Sequence, residues 1–439
     1  MQFLLRMVRA ISKSPCTIMH PHHSTISKIT IFATQIKHKM KIPTLAIKLN
    51  KAGERAIKQG HPWVFEQSIE KAPDKNAVAG SLCVIFDQRN NKPIAFGLWD
   101  PKEIIRIKII FQGSRLQLNT EFWKSQLKEA HSKRQDLIDK GITGYRGIHG
   151  ENDSFPGLIL DVYAKVGVLK IYSDIWKPYI EILMEEIQSL YGLESLIIRF
   201  SRKVGQNNTF PYKEGHIIGQ ALPNEKVEFE EYGVKFYAYT QSGHKTGFFI
   251  DQRPNRLWVQ QNAKRKKVLD VFSYVGGFGI HALKGGAESL TSIDISQQAM
   301  NVAAENIELN KLDKSKWTPI AADAFVAMNE LIENKEEFDI VIIDPPSFAK
   351  QASEVNSASN QYERLARLGR DLTKKHGTLI LGSCSSRIRL GDFEEIHKSA
   401  SITSGNGWKY MHFTLHDDDH PIGFAEGNYL KTVFYEKRV

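Results

Sequence analysis

Three short motifs in the C-terminal half of the chain carry side chains that could do chemistry. Cys384 stands between two serines, directly after the apolar run TLILG. Asp344 opens the motif DPPSF after the run FDIVII, and the glycine-rich stretch VGGFG follows the run KVLDVF. A thiolate is a nucleophile, a carboxylate can share a proton, and closely spaced glycines let the backbone approach a ligand. Together these motifs predict a ligand-binding cleft that contains a nucleophile.

The chain after residue 236 has the pattern of a scaffold that could bring these motifs together. Short apolar runs (KVLDVFSY, SLTSIDIS, FDIVIIDPP, GTLILGSCS) alternate with helical stretches such as QQAMNVAAENIELNKL. This alternation indicates a parallel sheet that is buried on both faces. WKYMHFTLH and YLKTVFYEKRV predict a closing strand pair. Because ligands bind at the carboxyl ends of parallel strands, we expect the motifs to meet at that edge.

The glycines and the acids that follow them predict a nucleoside-binding cleft. Gly276, Gly277 and Gly279 permit a tight turn, and the next helix start offers N–H groups to an anionic group. Asp294, at the end of the second run, is placed to accept hydrogen bonds from ribose hydroxyls, and Asp323 follows the third run. The pattern fits a nicotinamide dinucleotide, S-adenosylmethionine, or a turn that simply needs glycine.

The motif DPPSF favours S-adenosylmethionine over a nicotinamide dinucleotide. Its prolines fix the backbone and remove donors, so the chain leaves the sheet along a stiff path. We expect carbonyls, Asp344 and Phe348 to face the cleft there. Such an edge suits hydrogen bonds to a flat base and stacking on its face, for which a dehydrogenase has no use. The alternative is a plain turn that ends a strand.

The chain before residue 236 indicates two smaller domains. From Ile42 to about Gln112, short strand-like runs punctuated by glycine and proline predict a small β domain. Residues from about 115 to 235 predict a mixed α+β module. The aromatic residues of HPWVF, including Trp63, belong to a core, or they stack on an RNA base while basic residues contact phosphate.

Composition and charge set further limits. A chain of 439 residues suggests about two or three domains, and no apolar run is long enough to predict a membrane span. The formal charge is +10, but residues 1–41 contribute +7 and no acid, which leaves +3 for the rest. Nucleic-acid binding is therefore permitted but not demanded. Cys16, Cys83 and Cys384 lack metal-ligand spacing, so we expect no zinc site, no disulfide framework and a reducing compartment.

Residues 1–41 are basic and acid-free, and they are assigned no fold. They could be a transit peptide, a disordered basic arm, or a translation start placed upstream of a true start at Met40, which is slightly favoured. The protein is accordingly expected in the cytoplasm, or in an organelle matrix if residues 1–39 are a transit peptide.

Taken together, the motifs resemble those of class I S-adenosylmethionine-dependent methyltransferases of the RlmI type, which methylate C5 of a cytosine in large-subunit ribosomal RNA. The resemblance runs from about Ile42 to Val439. It rests on GHPWVF, GENDSFPGLILD, HKTGFFIDQRPNR, VFSYVGGFGIHAL, DPPSF, SCS and DHPIGFAEGNYLK. It implies a PUA-like RNA-binding domain (42–113), a mixed α+β domain (114–235) and a Rossmann-like α/β methyltransferase domain (236–439).

The resemblance also implies residue roles. Cys384 would add to C6 of the cytosine, Asp344 would hold the N3/N4 edge, and His420 or Glu426 would remove the C5 proton. The residues implied for the cofactor are Gln252, Arg253, Phe272, Ser273, Tyr274, Gly276, Gly277, Phe278, Asp294, Asp323, Asp344 and Pro345. Arg253 could instead form a domain-boundary salt bridge. The residues implied for RNA binding are Arg55, Lys58, Trp63 and Arg106.

Two departures from related groups bear on the reaction. One group of C5-cytosine methyltransferases has a second cysteine after the proline of the fourth-strand motif, where this chain has Pro346-Ser347. Related guanine-N7 enzymes lack a cysteine at the SCS position, so Cys384 favours carbon chemistry. S-adenosylmethionine and large-subunit ribosomal RNA are the expected ligands, with no membrane or metal partner and a homodimer left open. A base-nitrogen methyltransferase, a non-catalytic RNA-binding protein and a nicotinamide enzyme remain as alternatives.

Overall fold

Short strands at the N-terminal end of the described chain form the first sheet. A computed structural model of the protein describes residues 42–71, 76–207, 210–241, 243, 246–349 and 351–439. The first elements are β1 (Thr44–Lys48), α1 (Lys51–Lys58), β2 (Trp63–Phe65), β3 (Leu82–Phe86), β4 (Pro93–Trp99) and β5 (Ile105–Gln112). The strands pair in the order β1-β3-β4-β5-β2, and alternate residues of β1 and β3 are buried. This alternation confirms the small β domain of the predicted fold class.

A mixed module of helices and strands follows. Its elements are α2 (Thr120–Ser132), α3 (Gln135–Asp139), β6 (Gly144–His149), β7 (Leu158–Tyr163), β8 (Val166–Ile171), α4 (Ile180–Tyr191), β9 (Ser195–Phe200), α5 (Arg202–Asn207) and β10 (Ile217–Gly219). The strands pair in the order β10-β9-β8-β7-β6. Helix α4 buries Ile180, Leu183, Met184 and Ile187, so its apolar stripe packs inward, and it ends at Gly192 in the left-handed conformation.

A β-hairpin connects this module to the last sheet. Its strands, β11 (Lys226–Glu231) and β12 (Val234–Tyr239), pair antiparallel. The buried rings of Phe229 and Phe236 both pack against Phe248, with ring centroids 5.0 and 4.9 Å away. The domain boundary that the sequence predicted between residues 235 and 236 therefore falls inside β12. The alternation of apolar and polar residues predicts these two strands, but it does not indicate which domain their apolar face packs against.

The last sheet has seven strands in the described chain. Its elements are α6 (Arg253–Asn262), β13 (Lys267–Val271), α7 (Gly277–Lys284), β14 (Ser289–Asp294), α8 (Gln297–Leu309), β15 (Trp317–Ala321), α9 (Ala324–Glu333), β16 (Phe338–Ile343), α10 (Val355–Leu372), β17 (Thr373–Ser383), α11 (Leu390–Ser399), β18 (Trp408–Thr414) and β19 (Lys431–Lys437). The strand order is β15-β14-β13-β16-β17-β19-β18. Strands β13 to β17 pair in parallel, whereas β19 is antiparallel to both neighbours. The predicted parallel sheet and closing pair are confirmed.

The strand order reverses between β13 and β16. The chain builds outward from β13 to β15 and then returns to the other side of β13. Such a switch point opens a crevice beyond the carboxyl ends of the two central strands. Val271 pairs with Ile343 in the register, so the next residues, Phe272 and Asp344, lie side by side at this crevice.

The central strands of the seven-stranded sheet are buried on both faces. Val268, Ile340 and Ile380 belong to one apolar cluster, and Leu269 and Val341, their neighbours in sequence, belong to another on the opposite face. Because side chains alternate along a strand, two buried faces require continuous apolar runs. This burial is the physical reason that the sequence pattern located the sheet.

Residues Pro43–Val439 form one compact unit. The first sheet docks on the mixed module through buried hydrogen bonds: Tyr179 Oη donates to the Gly80 carbonyl at 2.8 Å, and Ser173 Oγ donates to Asp100 at 2.7 Å. In the residues that the structure describes, no helix is long and apolar enough to cross a bilayer. The expectations for residues 1–41 lie outside the described residues.

Candidate active site

The loop after β13 turns sharply at the switch point. Phe272, Tyr274 and Gly276 have positive φ angles of 63°, 49° and 85°. For residues other than glycine this conformation costs on the order of 1 kcal/mol or more, so surrounding contacts must hold it. Ser273 donates its N–H to the carbonyl of Ile293 at 3.0 Å, which fastens the loop to the end of β14. The predicted glycine loop thus lies at the carboxyl edge of the sheet.

Asp294 is oriented by two backbone N–H groups. Its Oδ2 accepts from Tyr274 N at 2.9 Å, and its Oδ1 accepts from Ser296 N at 2.9 Å. The carboxylate is half-buried, so it can also accept hydrogen bonds from a ligand hydroxyl. The next residue, Ile295, is 76% exposed. Sequence analysis missed Ile295 because the apolar pattern SIDIS does not distinguish a core residue from an exposed apolar surface beside the cleft.

Gly279 lets α7 pack closely against β14. A Cβ at Gly279 would lie 2.7 Å from Leu290 Cδ2. The Gly279 N–H donates to Asp270 Oδ2 at 2.9 Å. Burial raises the pKa of Asp270 to about 8, and the nearby carboxylates of Asp344 and Asp294 act in the same direction. Asp270 was also missed, although an acid inside the apolar run KVLDVF was a signal that could have found it.

Three other residues implied for the cofactor have different surroundings. Phe278 is 7% exposed and its ring belongs to the apolar core, so the ring does not line the cleft. Gly277 lies against Arg256, whose Cδ would be 3.3 Å from a Cβ at that position. Asp323 is exposed and caps α9, where its Oδ1 accepts from Phe325 N at 2.9 Å.

Asp344 lies over a glycine of the neighbouring strand. A Cβ at Gly382 would lie 2.5 Å from Asp344 Oδ1, so a larger residue would displace the carboxylate. On the other side, Asp344 N is 3.5 Å from the Val271 carbonyl of β13. The glycine that precedes SCS therefore makes room for the acid of DPPSF, and the two motifs meet as predicted.

The serines that flank Cys384 are buried. Ser383 and Ser385 are 0% and 1% exposed, whereas Cys384 is half-buried. Ser383 Oγ donates to Tyr362 Oη at 3.0 Å, and Ser385 Oγ donates to the Ala349 carbonyl at 3.0 Å. Cys384 and Ser385 lie in the loop that follows β17, so polar flanks mark the end of the strand here although both serines are buried. Side chains alternate along extended backbone, so the serines face inward together and Cys384 faces the other way.

The thiol of Cys384 contacts the DPPSF motif. Its Sγ lies 3.8 Å from the Pro345 carbonyl, which was expected to face a base. Burial raises the pKa of Tyr362, and the nearby Cys384 and Asp344 act in the same direction. The candidate nucleophile, the candidate acid and Tyr362 therefore share one electrostatic neighbourhood.

Gln252 lies next to the start of β19. Its Oε1 accepts from Asn255 Nδ2 at 2.5 Å and from Thr432 Oγ1 at 3.4 Å. The side chain is 3% exposed, and among the described residues its Nε2 has no hydrogen-bond partner. A buried donor without an acceptor costs roughly 1–3 kcal/mol, so the position suits an incoming acceptor group.

Arg253 is fully buried in an ion-pair cluster within the protein. Its Nη1 pairs with Asp417, and its Nη2 donates to Asp419 at 2.8 Å and to the Gly144 carbonyl at 2.9 Å. These partners belong to the mixed module and to the segment between β18 and β19, which we call the closing segment (415–430). The guanidinium thus forms the domain-boundary salt bridge that the sequence left as an alternative to cofactor binding.

The two candidate bases lie in different parts of the closing segment. His420 is 1% exposed, and its Nδ1 lies 2.6 Å from Asp419 Oδ1. The Glu426 side chain is 52% exposed, and it lies 3.6 Å from His61 of the first domain. The structure therefore does not bring these two residues together. No group of three or more metal-binding side chains occurs within the described ranges.

The residues implied for RNA binding mostly have partners inside the protein. Trp63 donates its indole N–H to Glu151 at 3.0 Å, and its ring packs edge-on against Phe424, with centroids 5.0 Å apart. The Trp63 ring therefore seats the closing segment on the first domain, and its role in base stacking stays a prediction.

The three basic residues in this set differ in exposure. Lys58 forms ion pairs with two carboxylates, at 2.6 and 2.5 Å. Arg106 is 14% exposed and pairs with Glu66 at 2.6 Å. Arg55, on α1, is exposed. Lys58 is also exposed, but its ammonium is shared with two carboxylates, and Arg106 is mostly buried, so Arg55 is favoured for a phosphate contact.

Comparison with family models and curated proteins agrees with this architecture. Residues 212–400 match a family of S-adenosylmethionine-dependent methyltransferases, and residues 47–111 match a PUA-like domain. A ribosomal RNA large subunit methyltransferase of Deinococcus radiodurans is 35% identical over 400 residues, covering 90% of this chain and 98% of the relative. A ribosomal RNA large subunit methyltransferase I of Aeromonas salmonicida is 35% identical over 395 residues, covering 89% and 99%.

Solved structures share the fold. A methyltransferase crystallised with S-adenosylhomocysteine superimposes with a TM-score of 0.76 at 21% identity, over 90% of this chain and 100% of that one. An S-adenosylmethionine-dependent methyltransferase from Streptococcus mutans superimposes with a TM-score of 0.75, also at 21% identity, over 89% and 100%. At 21% sequence identity, this similarity establishes the fold and nothing beyond it.

Proposed function

Because the chain belongs to the ribosomal RNA large subunit methyltransferase I family, we propose that it transfers a methyl group from S-adenosylmethionine to C5 of a cytosine in large-subunit ribosomal RNA. The observation that carries the proposal is the position of Cys384. This half-buried thiol follows β17, at the carboxyl edge of the sheet, and lies 3.8 Å from the carbonyl that follows Asp344. A nucleophile beside a carboxylate at this edge suits covalent catalysis on a pyrimidine.

The cofactor's site is proposed at the switch point. Asp294 would accept hydrogen bonds from the ribose, and the exposed Ile295 would support the adenine. The buried Nε2 of Gln252 would donate to the methionine carboxylate. Arg253 is left out of this set because both of its terminal nitrogens already bond to Asp417, Asp419 and Gly144, and its Nε lies 3.6 Å from Glu231. When bound, the cofactor supplies the methyl group.

The protein's own part in the reaction is to make C5 reactive. C5 of cytosine is a poor nucleophile within an aromatic ring. The Cys384 thiolate adds to C6, which breaks the aromaticity and gives C5 enamine character. After methyl transfer a base removes the C5 proton, the C6–S bond breaks, and its electron pair returns to sulfur.

Asp344 would hold the N3/N4 edge of the cytosine. Its carboxylate is half-buried and lies over Gly382, one residue from Ser383 and two from the nucleophile. A carboxylate there can accept from the exocyclic amine and share a proton with N3 as the adduct forms. Glu426 is the more accessible of the two candidate bases because His420 is 1% exposed and bonded to Asp419.

The test is to identify the methylated nucleoside and the covalent adduct. The full chain is incubated with large-subunit ribosomal RNA and methyl-labelled S-adenosylmethionine, and the RNA is digested to nucleosides. We expect 5-methylcytidine. RNA that carries 5-fluorocytidine should form a protein–RNA complex that survives denaturation, because fluorine at C5 blocks the final elimination. Cys384→Ala should form neither product.

Two other outcomes would overturn the proposal. A methylated base nitrogen as product, with Cys384→Ala still active, would indicate base-nitrogen chemistry in which Cys384 is incidental. A chain that does not bind S-adenosylmethionine would be a non-catalytic protein that retains the fold. In either case the covalent complex with 5-fluorocytidine RNA would be absent.

A further inference from the structure

Lys431 is a buried lysine directly opposite the nucleophile's strand. It opens β19 and pairs in register with Ser383, the residue before Cys384. Its side chain is 2% exposed. Its Nζ donates to the Ser385 carbonyl at 2.5 Å and to the Ile388 carbonyl at 2.5 Å. These two hydrogen bonds hold both sides of the turn that follows Cys384.

An ammonium group has three N–H donors, and these carbonyls take two. Burying a charged lysine is costly unless the charge is paired and hydrogen-bonded. Burial lowers the pKa of Lys431 to about 8, while the nearby Cys384 and Asp392 oppose this shift. The charges of the Lys431 ammonium and of the Cys384 thiolate therefore interact.

The other groups around the thiol favour its neutral form. The Pro345 carbonyl accepts from the S–H at 3.8 Å, and a carbonyl oxygen would repel a thiolate. Asp344, from the end of β16, would also repel it, and Tyr362, from α10, lies in the same neighbourhood. Asp392, from α11, acts on Lys431. Among these groups, only Lys431 can carry a positive charge.

We propose that Lys431 is a positioning residue for the covalent step: its two hydrogen bonds fix the Cys384 turn, and its ammonium offsets the charge of the Cys384 thiolate. The inference rests on the proposed function, in which this thiolate adds to cytosine C6. The thiol proton leaves to solvent from the half-buried side chain, and at neutral pH, below its pKa of about 8, Lys431 keeps its own proton. The sulfur regains its electron pair when the C6–S bond breaks.

The test measures the reactivity of the thiol without RNA or cofactor. The full chain is alkylated with iodoacetamide from pH 5.5 to 10, and modification of the Cys384 peptide is quantified by mass spectrometry. Lys431→Gln keeps N–H donors and removes the charge. We expect its alkylation midpoint to rise by about one pH unit or more, so that Cys384 reacts about tenfold more slowly at neutral pH. Lys431→Arg should keep a midpoint near that of the wild type.

The chain offers a matched control on the same strand. Lys437 also donates to two backbone carbonyls, of Arg370 at 3.3 Å and Thr373 at 2.6 Å, at the other end of β19. Lys437→Gln should leave the Cys384 midpoint unchanged. An equal midpoint in wild type and Lys431→Gln, with S-adenosylhomocysteine binding intact, would overturn the inference. If Lys431→Gln does not fold, Lys431→Met, whose unbranched apolar chain suits a buried position, gives the same test.

The activity of Cys384→Ala and the alkylation midpoint of Lys431→Gln together separate this inference from the proposed function. If Cys384→Ala still methylates RNA, the proposed function fails, whatever the alkylation result. If Cys384→Ala is inactive and the alkylation midpoint does not depend on Lys431, only the present inference fails. Where both hold, the acid limb of kcat should move to higher pH in Lys431→Gln, while KM for RNA stays the same.

Discussion

Cys83 and Cys384 are both attached to strands, but they lie at different points along them. Cys83 lies within β3, is 0% exposed, and has the Ser81 carbonyl 3.9 Å from its sulfur. Burial raises the pKa of its thiol. Cys384 lies one residue beyond β17, is half-buried, and follows Ser383, which pairs in register with Lys431. The difference teaches that a strand interior keeps a thiol inert, whereas a strand end can pair it with a charge.

The largest expected effect is the difference between the two cysteines in activity. Cys384→Ala should lower kcat on the order of 10⁴-fold, because it removes the proposed nucleophile. Cys83→Ala should leave kcat unchanged and lower the free energy of unfolding by about 1 kcal/mol, because it deletes one buried atom. Methylation assays and chemical denaturation of both variants check this. Equal activity losses would show that the strand-end position has no special role.

The next effect concerns the space beside the strand end. Gly382→Ala should lower kcat about 100-fold, because the new Cβ would lie 2.5 Å from Asp344 Oδ1 and displace that carboxylate. Gly391→Ala is the control, because a Cβ there meets nothing within 4 Å. The same methylation assay compares the two variants. A Gly382→Ala enzyme with full activity would remove Asp344 from the proposed site.

A third prediction concerns Asp270, a buried acid of the seven-stranded sheet whose pKa is raised mainly by burial, as at Cys83, and also by Asp344 and Asp294. Asp270 has a pKa raised to about 8, above the unfolded value, so the native state binds the extra proton. Wild-type stability should therefore fall as pH rises from about 4 to about 8. Asp270→Asn removes this dependence. The free energy of unfolding of the variant, relative to that of the wild type, should therefore increase by about 1–3 kcal/mol between pH 5 and pH 8. Urea denaturation at both pH values checks it; a constant difference between the two proteins would contradict it.

The smallest expected effect concerns the serines beside Cys384. Ser383→Ala should lower the free energy of unfolding by about 1 kcal/mol, because Tyr362 loses a buried hydrogen-bond partner. Ser399→Ala is the control, since that serine is exposed at the end of α11 and should change stability by less than about 0.5 kcal/mol. Thermal denaturation of the two variants measures the difference. If both behave alike, the buried flanks do not help to hold the turn.

The architecture of the seven-stranded sheet could be predicted because it follows from local pattern. Continuous apolar runs such as FDIVII and TLILG arise where both faces of a strand are buried, and Asp294, Asp344 and Cys384 follow those runs directly. The hairpin β11–β12 was assigned to two domains because alternation does not report which partner covers its apolar face. Asp270 was missed because the run KVLDVF was interpreted only as a buried strand, and the burial and the neighbouring acids that raise its pKa come from tertiary packing.

The amino-acid sequence by itself determined the order of strands and helices along the chain and the edge at which the motifs meet, and the family resemblance singled out the cysteine that is proposed as nucleophile. Only the tertiary structure decided the partners: Lys431 for the Cys384 turn, Asp417 and Asp419 for Arg253, and Phe424 for Trp63. The physical reason is the separation along the chain of the residues that specify each feature. The periodicity of apolar residues shows whether one face of a helix or strand is buried, and this is specified by residues that are close together in sequence. The identity of the group across a buried contact depends on segments that are far apart in sequence and become neighbours only when the domains pack.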